Sequence, residues 1–112
     1  MPQRAAVLDR LFQALADPTR RAVVERLGSG PAATSELASP FAMALPSFIQ
    51  HLDVLERAGL VRSTKAGRVR TYRLTPQPLD AAESWMAGQR RLWERRLDQF
   101  DDFVRTLKET EQ

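Results

Sequence analysis

The sequence predicts a mainly α-helical fold with one small β-hairpin. Apolar residues recur at helical spacing along most of the 112 residues, and capping and breaking residues divide that pattern into segments. Residues 60–74 alternate instead with the period of two that a strand requires, and Gly67 lies near their middle. We therefore expect a single domain, residues 1–112, with one modest core.

The first two helices are defined by apolar spacing and by a clear boundary between them. Residues 6–16 carry apolar side chains at helical intervals and predict the first helix. Asp17 is a suitable N-cap for the second helix, because its carboxylate can accept a free N–H of the first turn, and Pro18 fits the first helical position. Gly28 and Gly30 are expected to end that helix.

A second pair of helices precedes the hairpin. Thr34 is expected to cap a short third helix, which Pro40 ends because the residue before a proline is disfavoured in helical geometry. The fourth helix is predicted over residues 46–58, where Gly59 follows.

The hairpin is predicted from two strands, residues 60–66 and 69–74, around the turn residues Ala66, Gly67 and Arg68. We call residues 60–74 the wing. Two prolines then interrupt the chain before a long last helix, which is predicted over residues 78–108.

Charge is distributed unevenly along the chain. The formal net charge is only +3, yet the stretch from Arg57 to Arg73 holds six basic residues and no acidic one, whereas residues 94–112 carry a net charge of −2. Like charges crowded on one element repel each other, so a polyanion is their natural complement. The alternative interpretation is an ordinary solvated basic surface.

Two short helices, the second of which leads into a hairpin, are typical of a winged helix-turn-helix. The major groove of B-form DNA admits one α-helix, whose exposed side chains can meet base edges. A two-stranded ribbon beside that helix can reach phosphates or the neighbouring minor groove with its basic residues.

The chain is similar to the ArsR family of bacterial winged-helix regulators, over about residues 6–107. The matching segments are "FQALADPTRRAVVERL" (12–27), "SELA" (35–38), "LPSFIQHLDVLERAGLV" (45–61) and "KAGRVRTYRL" (65–74). The resemblance implies that the fourth helix is a recognition helix and that the hairpin contacts DNA. The residues expected at DNA are Leu45, Ser47, Ile49, Gln50, His51, Lys65, Arg68 and Arg70.

For three of these residues, a role inside the protein is an alternative to contact with DNA. Family members usually place polar side chains early in the recognition helix, so whether Leu45 and Ile49 face DNA or the core is left open. His51 borders the apolar face of its helix, which favours a hydrogen-bonded structural histidine over a direct DNA contact.

The residues argue against metal binding, a cofactor or catalysis. Many members of the family sense metals through cysteines or through Asp and His on the last helix, but this chain has no cysteine and one histidine. Asp80 and Glu83 alone make a poor transition-metal site. The chain therefore resembles a cysteine-free subgroup that does not sense metals. We expect no cofactor and, because no nucleophile with a base or phosphate-binding loop is recognisable, no enzymatic activity.

Apolar residues of the last helix follow a heptad, which predicts packing against another helix. The residues expected at a homodimer interface are Met86, Trp93, Leu97, Phe100 and Val104, together with Leu8, Leu11 and Phe12 of the first helix. The alternative is that the last helix only covers the first within one chain. Trp85, Met86, Arg90, Arg91 and Trp93 are candidates for a small-molecule effector pocket, or simply for the interface core.

The sequence as a whole favours a homodimeric, sequence-specific DNA-binding regulator. We expect a cytoplasmic repressor that occludes a promoter by binding a palindromic operator in double-stranded DNA, and no membrane association, since no run of 18 apolar residues is present. The operator sequence and the existence of an effector are left open. The alternative is a dimeric winged-helix module that binds another protein.

Overall fold

The computed structural model describes residues 2–111, with side chains from residue 5 onward. The chain divides into two compact units, one ending at Ala81 and the other beginning at Ala82. The first unit holds four helices, a small sheet and the beginning of the last helix, whose remainder forms the second unit. The expected fold class, mainly α-helical with a small hairpin, is confirmed. The single-domain organisation stays a prediction.

Five helices follow one another in the described chain. Their bounds are Pro2–Leu15 (α1), Pro18–Leu27 (α2), Thr34–Ala38 (α3), Leu45–Arg57 (α4) and Gln77–Glu111 (α5). Asp17 caps α2 as expected, because its Oδ2 accepts the backbone N–H of Arg20 at 3.0 Å. No helix among the described residues is both long enough and apolar enough to cross a bilayer.

The expected cap of α3 is wrong. Thr34 is the first helical residue, and Ala33 occupies the N-cap position. The side chain of Glu36 reaches back instead and accepts the N–H of Ala33 at 3.0 Å, which is half of a capping box. The reason is that residues 32 and 33 pair with a strand, so the helix begins directly where that pairing ends.

The sheet has three antiparallel strands in the order β1-β3-β2. They are Ala32–Ala33 (β1), Val61–Ala66 (β2) and Val69–Leu74 (β3). The wing is the β2–β3 pair, and its register places Ala66 opposite Val69 across a two-residue turn. Gly67 has φ +62° and Arg68 does not have a positive φ, as a type II′ turn requires. β1 was not expected, because two alanines are too short to show an alternating pattern.

The core lies between α4 and its neighbours in the first unit. Phe48, Leu52 and Leu55 of α4 are completely buried, with Leu11 of α1 and Leu37 of α3. Further fully buried side chains are Val23, Leu60 and Val61. Burial of this apolar face fixes which side of α4 is left to face outward.

The junction between α4 and the wing is fixed by a helix C-cap of the Schellman type. The N–H of Gly59 donates to the carbonyl of Glu56 at 3.0 Å, and the N–H of Leu60 donates to the carbonyl of Leu55 at 3.1 Å. Gly59 adopts φ +76°, which a side chain would disfavour. Leu60 and Leu55 are both buried, as the hydrophobic pair of this motif requires. The "RAGL" sequence therefore sets the direction in which the chain enters β2.

The second unit is one helix with an exposed apolar face. Trp93 is 65% exposed and Phe100 is 61% exposed, and the other large apolar residues exposed on this helix are Trp85, Met86, Leu92, Leu97, Phe103 and Leu107. Val104 is half-buried. Leu8 and Leu11, which we expected at a dimer interface, are buried within the chain, whereas Phe12 is 39% exposed.

Candidate nucleic-acid interface

The first two turns of α4 present a mixed surface of polar and apolar side chains. Ser47 and Gln50 are exposed. Leu45 is 51% exposed and Ile49 is 37% exposed, so neither side chain belongs to the core. Ser47 and Gln50 point away from the Phe48–Leu52–Leu55 face, and Ile49 lies beside that face. Leu45 lies on the same side of the helix as Leu52, two turns earlier, and is exposed at the first residue of α4. The structure thus exposes all four candidate residues, with Ser47 and Gln50 on the outer side of α4 and Leu45 at its N-terminal end.

His51 lies in a hydrogen-bonded cluster with the start of α2. Its Nδ1 is 3.1 Å from Nη1 of Arg20 and 3.7 Å from Oδ2 of Asp17. Because a guanidinium can only donate, Nδ1 accepts in this arrangement and a neutral ring carries its proton on Nε2. The ring is half-buried. These contacts favour the structural role for His51 over direct contact with DNA.

Arg20 joins three helices. Its Nε donates to the carbonyl of Ala14 at 2.7 Å and its Nη2 to the carbonyl of Gln13 at 3.0 Å, both in the last turn of α1. The hydrogen bond from its backbone N–H lowers the pKa of the Asp17 carboxyl, and the positive charge of Arg20 acts in the same direction. The motif "ADPTRR" therefore holds α1, α2 and α4 in a fixed arrangement.

The register of the wing places like charges directly opposite each other. Lys65 pairs with Arg70, and Arg62 pairs with Arg73. Like charges at such positions are destabilising in the free protein. Within the described chain, the side chains of Lys65 and Arg68 make no hydrogen bond or ion pair with another residue. The wing thus holds cations close together, two of them free beside the turn.

Arg70 differs from its neighbours because it is tethered. Its Nη1 donates to Oγ of Ser63 at 2.9 Å, and that hydroxyl donates to Oε2 of Glu56 at 3.0 Å. In the sequence no acidic residue lies between positions 57 and 73, but the fold brings Glu56 from the last turn of α4 to the wing. The expectation of a wing without an acidic neighbour is therefore wrong at Arg70, because Glu56 lies one residue outside that stretch.

Tyr72 anchors the wing to the body of the first unit. This residue of β3 is buried, and burial raises the pKa of its phenol, so the side chain stays neutral at physiological pH. Because alternate residues of β3 face opposite sides, Tyr72 and Arg70 share one face of the hairpin. The buried ring of Tyr72 therefore helps to fix the position of Arg70, two residues earlier in β3.

A groove of about 340 Å³ connects the start of α4 with the wing. It is lined by the start of α4 and by the tip of β3, through Leu45, Val69 and Arg70. Thr34 and Ser35 of α3 line it as well, although no motif or charge pattern indicated these two residues. Their position follows from β1, which pairs with β3 and so brings the start of α3 beside the wing.

The described residues offer no arrangement for a metal. Within residues 2–111, no group of three or more His, Cys, Asp or Glu side chains is placed to hold an ion. Asp80 is in the first turn of α5, and Glu83 follows in the same helix.

A helix pair whose second member exposes its first turns beside a basic hairpin defines a winged helix-turn-helix protein of the DNA-binding class. A family described as a helix-turn-helix domain matches residues 15–64. The HTH-type transcriptional regulator Rv2034 of Mycobacterium tuberculosis is 44% identical over 96 residues, which cover 86% of this chain and 87% of that protein. The transcriptional repressor SdpR of Bacillus subtilis is 29% identical, over 70% of this chain and 88% of that protein.

Solved structures agree with these relatives. The crystal structure of an ArsR family transcriptional regulator superposes with a TM-score of 0.77 at 53% identity, and covers 84% of this chain and 94% of that one. The chain belongs to the ArsR family of transcriptional regulators. This membership confirms the expected family and DNA-binding regulatory class, and also the expectation that the protein is not an enzyme.

Proposed function

We propose that this regulator is a homodimeric repressor that reads a palindromic operator, occludes a promoter and does not respond to metals. The observation that carries the proposal is the exposed first half of α4 beside two wing cations, Lys65 and Arg68, whose side chains have no acidic partner. Such a surface matches the groove and the phosphates of duplex DNA at the same time.

Electrostatics supports the wing as a phosphate contact. Lys65 lies opposite Arg70, and Arg68 occupies the turn between the two strands. Phosphate oxygens placed between such cations would relieve their repulsion and would release the counterions condensed on DNA. The free protein thus holds an electrostatic cost that binding to a polyanion removes.

Sequence reading is assigned to the exposed side chains of α4. Gln50 can donate to and accept from the N7 and N6 groups of adenine, and the hydroxyl of Ser47 can pair with several bases. The exposed Leu45 and Ile49 suit the methyl group of thymine. This set favours an operator with A·T pairs in each half-site.

The exposed apolar face of α5 supports dimerisation. Met86, Trp93, Leu97, Phe100 and Val104 recur at the heptad spacing of packed helices, and four of these five are exposed in the single chain. A monomeric protein rarely leaves a contiguous apolar surface of this kind in water. The face therefore suits packing against a second copy of the chain. Of the three α1 residues expected at the interface, Phe12 is exposed enough to take part, whereas Leu8 and Leu11 are buried.

Two copies would present two recognition helices. A two-fold dimer matches half-sites about 34 Å apart, which is one turn of DNA, and we therefore propose a palindromic operator. The protein would act in the cytoplasm, because bacterial promoters are located there. Occupancy of such a site excludes polymerase from an overlapping promoter. SdpR is named a transcriptional repressor, which supports that direction of regulation.

Insensitivity to metals is proposed from the donor set. The sequence contains no cysteine, and its one imidazole is already engaged by Arg20 next to Asp17. The carboxylates that remain are weak ligands for transition metals without nitrogen or sulfur neighbours.

The test is fluorescence anisotropy with labelled DNA from upstream of the gene and with a scrambled duplex of equal length. The proposal expects tight binding to the upstream DNA alone, and affinity that falls steeply with added salt. Equal affinity for both duplexes would refute sequence reading, and no binding to either would refute the proposal.

The exposed Leu45 and Ile49 favour one other candidate, a dimeric module that binds another protein. An apolar pair at the start of a recognition helix also suits a protein surface. This alternative predicts no salt-dependent affinity for duplex DNA, so the same anisotropy experiment separates the two candidates.

A further inference from the structure

A second concave surface lies in the first unit, at the opposite end of α4 from the reading residues. It is a cavity of about 370 Å³, bounded by α1, the last turn of α4, the start of β2 and the first turn of α5. Arg10, Arg57 and Arg62 line it from three different elements. A cavity of this size is at the lower end of the range that binds small molecules, about 300–1,000 Å³.

The three arginines of this cavity are not neutralised. Within residues 5–111 none of their guanidinium groups makes a hydrogen bond or ion pair with another residue. No carboxylate from the described residues lines the cavity. Arg62 also lies opposite Arg73 across the wing ladder, which adds a fourth cation nearby. All three arginines are exposed, so together they attract anions from solution, and added salt screens that attraction.

The rest of the lining separates into polar and apolar parts. Thr75 and Gln77 can offer further hydrogen bonds, whereas Val7 and Pro78 present apolar surface. Asp80, the acidic residue in the first turn of α5, does not line the cavity. This lining fits an anionic head with a small hydrophobic body.

We propose that this cavity binds a small organic anion, a carboxylate attached to a compact apolar group. Guanidinium groups bind carboxylates through two parallel hydrogen bonds, and three of them from separate elements can surround one head group. The cavity is distinct from the DNA-reading surface, because Arg57 lies twelve residues beyond Leu45 on the same helix, about 18 Å along its axis.

Such a ligand is placed to regulate DNA binding. It would contact the last turn of α4 through Arg57 and the base of the wing through Arg62, and its negative charge would offset part of the positive potential of the wing. A ligand that weakens DNA binding must itself bind more weakly to the DNA complex. This regulatory step alone rests on the proposed function; binding of the anion does not.

The test is isothermal titration of the full chain with benzoate and hexanoate, without DNA. We expect one carboxylate per chain, and at least a tenfold lower affinity in the double variant Arg57→Gln, Arg62→Gln. The matched control is Arg95→Gln, Arg96→Gln, which removes the same charge from two exposed arginines of α5 and leaves the affinity unchanged. Circular dichroism melting curves confirm that all three proteins are folded.

Several results would overturn the proposal. These are no heat of binding with either carboxylate, equal affinity in both double variants, or binding of inorganic phosphate but not of the carboxylates. Loss of DNA affinity in Arg57→Gln, Arg62→Gln beside a flat carboxylate titration of the wild type would assign these arginines to phosphate contacts instead. If carboxylates bind but DNA anisotropy does not change on their addition, the regulatory step is refuted.

Discussion

Replacement of Lys65 and Arg68 by glutamine tests the wing directly. Arg68 is in the turn and Lys65 lies two residues before the turn begins, and neither side chain has an acidic or hydrogen-bonding partner in the described chain. Their removal therefore breaks no internal interaction. It also removes the repulsion between Lys65 and Arg70, so the variant is expected to be at least as stable to urea as the wild type. Any loss of DNA affinity can then be attributed to lost phosphate contacts.

The magnitude follows from the number of contacts. Each phosphate contact contributes about 0.9 to the slope of log affinity against log salt concentration. Two cations in each chain of the proposed dimer make four contacts, so the slope is expected to become about 3.6 less steep. Over a fourfold change in salt, the affinity of the wild type should fall about a hundredfold more than that of the variant.

The assay is anisotropy on the upstream duplex at four or more salt concentrations. Arg95→Gln, Arg96→Gln serves as the control, since it removes an equal charge outside the wing. If Lys65→Gln, Arg68→Gln shows the wild-type slope, the wing does not contact phosphates and the assignment is refuted. If the control also makes the salt dependence of affinity less steep, the change is caused by the lower net charge and not by the loss of cations from the wing.

Three further predictions concern the dimer, the cap and metals. Leu97→Asp with Phe100→Asp is expected to give a monomer in sedimentation velocity, because it places charges on the exposed apolar face of α5; a variant that sediments as a dimer excludes this interface. Asp17→Ala should lower the free energy of urea unfolding by about 1 kcal/mol at neutral pH. Because the pKa of the folded carboxyl is lowered, this difference should disappear as pH falls through that value, and a difference that persists in acid contradicts the cap. Zinc and arsenite should leave DNA anisotropy unchanged, and metal-dependent release would show an unrecognised ligand set.

The helices and the hairpin could be predicted because their signals are local. Asp17 and Pro18 mark the start of α2 through the chemistry of one helical turn, and Gly59 marks the end of α4 since it alone tolerates the required positive φ. Gly67 marks the turn of the wing for the same reason. In each case, the residue that defines the boundary lies within a few positions of it.

The features that were missed depend on contacts between distant residues. β1 exists only because β3 supplies its hydrogen bonds, and no pattern within Ala32 and Ala33 could indicate it. The same pairing displaced the expected cap at Thr34. Glu56 reaches Ser63 because the C-cap of α4 turns the chain back on itself. Among the candidate reading residues, the exposure of Leu45 and Ile49 could be decided only by the packing of α4.

The way α4 is held limits how this regulator can be switched. Its apolar face is buried through Phe48 and Leu52, its middle is linked to α2 through His51 and Arg20, and its end is joined to the wing by the Leu60–Leu55 hydrogen bond. A tilt of α4 within its own chain would break all three sets of contacts at once, at a cost of several kcal/mol. The coupling between two ligands is typically about 1–3 kcal/mol. An effector therefore has to act by changing the spacing between two copies or the charge beside the wing, and the arginine-lined cavity offers the second of these routes.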